Sequence, residues 1–247
     1  MHLINLADPI TWPRNLVGVL ERHEPLFKAW FRGHPVRSGA AFDAAHADVR
    51  EALDSCEVLG WHCSRLTDAE ISLIECAGMQ LPNVHMLNER IDRLVEAGQI
   101  AEPIAGALKG TNQAGDKNRA GRLWFCFFAP HEAGESGIHR FFRHWGGEAL
   151  YNSHENNHVT SPALASIGTP CVVEAAVQIR TLSQYSYVTQ RVIERFLWAK
   201  GLFHPEPKIP EGYTVAPIEA GSIKRVMRHP DSEFMSLTGC KNWQTPI

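Results

Sequence analysis

Three groups of residues in this chain are of types that do chemistry. The first is Glu148, which directly follows Gly146-Gly147 and stands three residues before Tyr151. Neither glycine carries a Cβ, so a ligand can come close to the backbone and to the acid there. The second is His154-Glu155-Asn156-Asn157-His158, a literal HExxH match. In zinc hydrolases this spacing puts two imidazoles on one helical face with a water-activating carboxylate between them. Asn156 and Asn157 are weak helix formers, Thr160 and Pro162 follow soon after, and no third ligand stands out. The residues therefore favour a polar loop, with a metal-dependent hydrolase as the alternative. The third group is cysteine: Cys63 beside His62, or Cys126 between Phe125 and Phe127. A nucleophilic thiolate needs a base brought to it in space, and neighbours on a strand point to opposite faces, so Cys126 reads as a core residue.

The elements around Glu148 follow from periodicity. Leu123 to Phe128 is a continuous apolar run, the pattern of a strand covered on both faces, and it stops at Ala129-Pro130. Ile138, Phe141, Phe142 and Trp145 then fall at helical spacing, with His139, Arg140, Arg143 and His144 between them, up to the glycine pair. The polar cluster 152–158 comes next. Upstream, residues 57–66 (EVLGWHCSRL) alternate like a half-buried strand, and Thr67-Asp68-Ala69-Glu70 forms a capping box. The box opens a helix with Ile71, Ile74 and Ala77 on its apolar side and Gly78 past its end. A very short strand at 79–81, a helix from Asn88 to Gly98 and a third helix with Pro103 in its first turn lead to a polar loop at 110–121. That loop carries Asn112, Asp116, Lys117, Asn118 and Arg119.

Downstream, residues 162–167 suit one helical turn, Cys171 to Ile179 is the clearest strand, and Tyr185 to Lys200 is an amphipathic helix that includes Tyr187. The prolines of PEPKIP suppress helix, and 213–217 and 223–227 are short strand candidates. Residues 1–54 read as helical, with one segment interrupted at Pro25, a turn at Gly33-His34-Pro35 and a second segment at 40–53. The expected organisation is thus a helical N-terminal cap, 1–54, on an α+β domain, 55–247, because helices and strands alternate without a regular βαβ period.

Composition narrows the class. The 247 residues are 44% hydrophobic and 21% charged, ordinary for a globular protein that buries a sizeable core. No apolar run reaches the roughly 20 residues that span a bilayer, and the N-terminus lacks a basic and apolar leader, so the expectation is a cytoplasmic protein with no membrane partner. The six cysteines show neither CxxC pairs nor even spacing, which argues against a zinc ribbon or a disulfide framework. A formal charge of −3 gives no whole-chain preference for nucleic acid, although Arg140, Arg143 and His144 can form a local basic patch.

The stretch WHCSRLTDAEISLIECAGMQ, from Trp61 to Gln80, resembles the opening unit of the ADP-ribosyltransferase fold shared by diphtheria-toxin-like and poly-ADP-ribose-polymerase-like enzymes. It has a strand bearing His, a Ser two residues on, a short helix, and a glycine leading to the next strand. The resemblance runs through roughly residues 57–227 in element order, but its only local motif is the His62 segment. It implies a split antiparallel sheet with surrounding helices, and an enzyme that transfers ADP-ribose from NAD to a nucleic-acid or protein acceptor, as bacterial or phage toxins and effectors do. It further implies that His62 with Cys63, Ser64 and Arg65 grips the nicotinamide ribose and amide, and that an aromatic residue stacks on nicotinamide, here Tyr151, Trp124 or Phe125. Arg119, Arg65 or Lys117 is then suited to the pyrophosphate. A glutamate would hold the ribose: Glu148, given room by its glycines, or else Glu174 or Glu211. A non-catalytic interaction protein using the aromatic and basic helix 138–145 is the other class of reading.

Overall fold

The computed structural model describes residues 1–33, 39–183, 185–208 and 211–247. The expected turn at His34-Pro35, the side chain of Tyr187 and the Ile209-Pro210 end of the proline-rich connector lie outside the described residues. The chain forms two compact units, each assembled from three separated segments: Met1–Gly60, Cys126–Phe128 and Ala176–Tyr213 in the first; Trp61–Phe125, Ala129–Ala175 and Thr214–Ile247 in the second. The class is α+β. Its strands are β1 (His2–Ile4), β2 (Cys56–Leu66), β3 (Leu123–Cys126), β4 (Thr169–Gln178), β5 (Glu211–Thr214) and β6 (Ile223–Arg228). They lie in the order β5-β3-β2-β4-β6, with β1 paired to β2. The sheet is mixed: β1 runs parallel to β2, with His2 opposite Cys56, and β6 runs antiparallel to β4, with Met227 opposite Val172.

The strands read at 57–66, 123–128 and 171–179 are neighbours in this sheet. In β4 the side chains of Cys171, Val172, Val173, Ala175, Ala176 and Val177 are all buried, the signature of a strand covered on both faces. The expectation of equal cover on β3 needs correction. Leu123, Phe125 and Phe127 are buried, while Trp124 and Cys126 are half-buried, so the two faces are covered unequally.

Among the described residues the helices are α1 (Arg14–Phe31), α2 (Gly39–Asp54), α3 (Asp68–Ala77), α4 (Val84–Glu96), α5 (Glu102–Gly110), α6 (Gly134–Arg143), α7 (Glu148–His154), α8 (Thr160–Ser166), α9 (Tyr185–Ala199) and α10 (Ser232–Thr238). In the first unit α1, α2 and α9 contact one another, and Leu16, Leu20, Phe27, Val49, Leu53, Val192 and Leu197 are buried there. The interruption expected at Pro25 does not occur: α1 runs through it. Burial of Leu20 and Phe27 on either side, worth about 1.5–3 kcal/mol each, offsets the roughly 3 kcal/mol that an internal proline costs.

In the second unit the capping box forms as read: the Glu70 N–H donates to Thr67 Oγ1 at 3.2 Å, and the Thr67 N–H donates to Glu70 Oε2 at 2.8 Å. Helix α4 starts at Val84 rather than Asn88, because Asn83 accepts from the Met86 N–H at 2.9 Å and so caps it earlier. The aliphatic core around the site comes from Leu87, Ile91 and Leu94 of α4, Leu108 of α5, Trp145, Leu150 of α7 and Leu164 of α8. Strand β1 corrects the reading of 1–54 as wholly helical, and helices α7 and α10 had no sequence counterpart. Among the described residues no helix is long and apolar enough to cross a membrane.

Two glycines of this unit separate backbone strain from close approach. Gly78 has φ +79° and ψ −166°, a region that only glycine occupies freely, and a Cβ there would meet the Ile218 carbonyl oxygen at 1.9 Å. That carbonyl accepts the Met79 N–H at 2.8 Å, so the segments cannot part without losing a bridge. Gly98 has φ +66° but open space around it. Gly98→Ala should cost about 1–2 kcal/mol for the left-handed backbone alone, and Gly78→Ala a further ~1–3 kcal/mol for overpacking. Urea unfolding of both variants tests this, and equal losses would refute the close-approach argument.

Candidate functional site

The glycine pair makes an abrupt change of direction possible between two helices. Gly146 and Gly147 have φ +84° and +58°, and α7 begins immediately after them at Glu148. Its neighbours Leu150, Tyr151 and His154 are buried, which sets the rotation of the helix and turns the polar stripe Glu148, Tyr151, Asn152, Glu155 to one side.

That stripe lies between two arginines. Arg119, from the loop read as ligand-facing, pairs through one terminal nitrogen with Asp116 Oδ2 at 3.2 Å, and its Nε is 3.6 Å from Glu148 Oε2. This distance is too long for a hydrogen bond, and the buried Arg119 Nε has no hydrogen-bond partner among the described residues. Tyr151 Oη donates to Glu148 Oε1 at 3.3 Å. Burial, and then the Glu148 carboxylate beside it, raises the Tyr151 pKa, so the phenol keeps its proton and remains a donor. The Arg140 guanidinium of α6 lies 4.1 Å from the centre of the Tyr151 ring. It also donates to Glu155 Oε2 at 3.0 Å, Glu155 Oε1 at 2.7 Å and Asn152 Oδ1 at 3.0 Å. Asn152 donates in turn to Gln113 Oε1 at 3.0 Å, and the Gln113 N–H donates to the Ala149 carbonyl at 2.8 Å, which fastens the 110–121 loop onto α7. Glu148 itself stays 44% exposed.

The structure therefore brings Glu148, Tyr151 and Arg119 together. Period two along β2 puts His62 and Ser64 on one strand face and Cys63 and Arg65 on the other. His62 Nδ1–H donates to the Trp124 carbonyl at 2.9 Å, and its ring meets Phe125 edge-on at 5.9 Å. Burial lowers its pKa, so the ring is neutral. Ser64 is half-buried and Cys63 is buried. Arg65 is engaged by backbone: Nε donates to the Ile167 carbonyl at 2.7 Å and a terminal nitrogen to the Phe142 carbonyl at 2.9 Å. Of the alternative acids, Glu174 accepts from Trp61 Nε1 at 3.0 Å, pairs with Arg225 at 3.2 Å and is only 13% exposed. Glu211 is an exposed residue at the start of β5.

The HExxH match does not form a helical metal-binding face. Helix α7 ends at His154, and exposed His158 lies beyond it. His154 is buried with both nitrogens engaged: Nε2–H donates to the Thr111 carbonyl at 2.7 Å, and Nδ1 accepts from the Thr160 hydroxyl at 3.0 Å. No lone pair is left for a cation, and among the described residues no cluster of three His, Cys, Asp or Glu side chains could hold one.

Sequence reasoning missed Arg140, Asn152, Glu155 and Gln113 as members of the site. For Asn152 and Glu155 the signal was the i, i+3, i+4, i+7 spacing of Glu148, Tyr151, Asn152 and Glu155, legible only once 148–155 is taken as helical, whereas Arg140 and Gln113 join through tertiary contacts alone. It also missed a second use of Glu70. Besides capping α3, its Oε1 accepts from Arg90 Nε at 2.6 Å and its Oε2 from Trp145 Nε1 at 2.9 Å, with the Arg90 guanidinium 4.5 Å from the Trp145 ring centre. Comparison of the chain with family models, with curated proteins and with solved structures finds no match.

His144, at the end of α6, gives a pH test of this unit. It is fully buried, its Nε2 lies 3.1 Å from Ser161 Oγ, and its Nδ1 has no hydrogen-bond partner among the described residues. Burial, then the Arg143 charge, lowers its pKa from 6.5 to about 4, with Arg140 and Arg65 acting the same way and Glu155 opposing. Between these values the unfolded chain takes up a proton that the folded chain refuses. Stability should therefore fall as pH drops from about 6.5 towards about 4 and level off below. Lowered pKa values at His62 and His46 add to the slope. Thermal midpoints across this range should fall less steeply for His144→Gln, and an unchanged slope in that variant would reject the assignment.

Proposed function

We propose that the chain is an ADP-ribosyltransferase that uses NAD as substrate and acts on a nucleic-acid or protein acceptor, with Glu148 as the acid at the reacting centre. One observation carries the reading. An accessible carboxylate has a phenol donor 3.3 Å from one oxygen and, 3.6 Å from the other, an arginine Nε with no hydrogen-bond partner among the described residues.

The reaction asks for such a group. When the bond between ribose C1′ and the nicotinamide nitrogen breaks, the bonding pair leaves with nicotinamide and positive charge develops on the ribose. A lone pair of the acceptor then bonds to C1′, and the acceptor's proton passes to solvent or a base. A fixed anion beside the ribose stabilises the charged state more than the neutral ground state. In this reading the Tyr151 O–H and the Arg119 guanidinium lie on either side of the Glu148 carboxylate, and arginine's planar fork is suited to phosphate oxygens nearby. His62 and Ser64, which share one face of β2, serve the nicotinamide end, as the resemblance of the Trp61–Gln80 stretch implies, while Cys63 on the opposite face does not. Arg65, spent on two backbone carbonyls, supports the scaffold instead.

Glu148→Gln preserves shape and hydrogen bonding but removes the charge. NAD binding, measured by calorimetry, should stay near wild type. Turnover in NAD hydrolysis or transfer should fall by roughly a hundred- to a thousandfold, the usual loss for one electrostatic transition-state contact of about 2.7–4 kcal/mol. Wild-type turnover in this variant would move the acid elsewhere. Absence of both NAD binding and turnover in the unmodified protein would favour a non-catalytic interaction protein.

A further inference from the structure

Glu155 is the central acid of the HExxH match, and its neighbours rule it out as a water activator beside a metal. Both of its oxygens are taken by Arg140, at 3.0 Å and 2.7 Å, in a planar two-point pairing. The same guanidinium stacks 4.1 Å from the Tyr151 ring centre and reaches Asn152 Oδ1 at 3.0 Å. Arg140 thus grips three members of one helical stripe, and the fourth member is Glu148, which accepts the Tyr151 phenol.

We infer that Arg140 and Glu155 are a positioning pair for the Glu148–Tyr151 site. The inference rests on the ADP-ribosyl reading for its catalytic consequence, but not for its geometry. Exposure decides between a structural role and a positioning one. The two side chains are 45% and 29% exposed, and ion pairs in such surroundings add little to stability because water screens them. A bidentate pair that also stacks on a ring nevertheless fixes direction: Glu155 sets the guanidinium plane, and the guanidinium sets the tilt of the Tyr151 ring. Ring tilt decides where the phenolic O–H points, and so which orientation of the Glu148 carboxylate is held. His154 secures the arrangement from behind, through the Thr111 carbonyl and the Thr160 hydroxyl. The whole 154–155 pair is then a buttress for the acid six to seven residues before it.

The test uses the full chain with Arg140→Ala, Glu155→Gln and the double variant. Unfolding midpoints should stay close to wild type. In NAD hydrolysis, kcat should fall roughly ten- to a hundredfold for Arg140→Ala with KM near the wild-type value, the pattern of a misplaced rather than a missing group. Glu155→Gln should lose less in the same sense, and the double variant little more than Arg140→Ala, because the two residues act as one unit. Millimolar guanidinium ion should restore part of the Arg140→Ala loss and none of a Glu148→Gln loss. A readout free of NAD is the Tyr151 ring resonance in isotopically tyrosine-labelled protein, assigned by its disappearance in Tyr151→Phe. It should shift in both single variants and return towards wild type when guanidinium is added to Arg140→Ala. An unmoved Tyr151 resonance in both variants overturns the inference. A shifted resonance in a protein that hydrolyses no NAD upholds the positioning pair and removes the ADP-ribosyl reading.

Discussion

Glu70 is a largely buried carboxylate, and a charge withdrawn from water persists only where every lone pair finds a donor. Burial alone would raise its pKa, but the Arg90 guanidinium, the Thr67 N–H and the Trp145 indole N–H reverse this and hold it below the ordinary carboxylate range. The three donors come from three places: the cap of α3, the middle of α4 and the residue just before the glycine pair. Satisfying one buried anion therefore fixes two helices and the point from which α7 departs. Removal of one donor leaves a buried anion incompletely paired, a fault that typically costs several kcal/mol. The stacking of Arg90 on Trp145 and the aliphatic cluster of Leu87, Ile91, Leu150 and Leu164 keep water from taking a donor's place.

The chemistry that this frame supports depends on unequal exposure within one short helix. Leu150, Tyr151 and His154 are buried and hold α7 in place, while Glu148 remains open to solvent. Glu174 offers a contrast. It is more enclosed, and Trp61 and Arg225 already occupy its oxygens, so it serves the contact between β2, β4 and β6 and has little capacity for a ligand. A carboxylate that stays reachable needs incomplete pairing, and Glu148 has it: a phenol on one side and an arginine held just beyond hydrogen-bonding distance on the other.

Two short motifs illustrate what spacing can and cannot carry. The capping box at Thr67 and Glu70 depends on contacts within four residues, and the structure forms it as read. HExxH depends on a helix continuing through His158, and the Asn156-Asn157 pair ends it. The same residues become anchors instead, His154 to the Thr111 carbonyl and Glu155 to Arg140. A motif whose meaning needs tertiary context cannot be assigned from residue types alone.

Local physics was legible in the residues themselves. The run CVVEAAVQI reads as the clearest strand because every position but two is apolar. Gly146-Gly147 reads as a break, with Glu148 and Tyr151 as the candidates beside it, but the room expected there exists only at Gly147, because the Leu150 side chain fills the space at Gly146. These conclusions rest on interactions within one turn or one strand period, which short windows of sequence contain. The tertiary structure alone decided that Arg65 spends its guanidinium on Ile167 and Phe142, residues about a hundred and about eighty positions away. It also decided that α1 runs through Pro25, that Glu70 reaches Trp145, and that Arg140 lies on Tyr151. In each case the competing local preferences differ by only a few kcal/mol, and burial of side chains distant in sequence, together with the need of buried polar groups for partners, is large enough to choose between them.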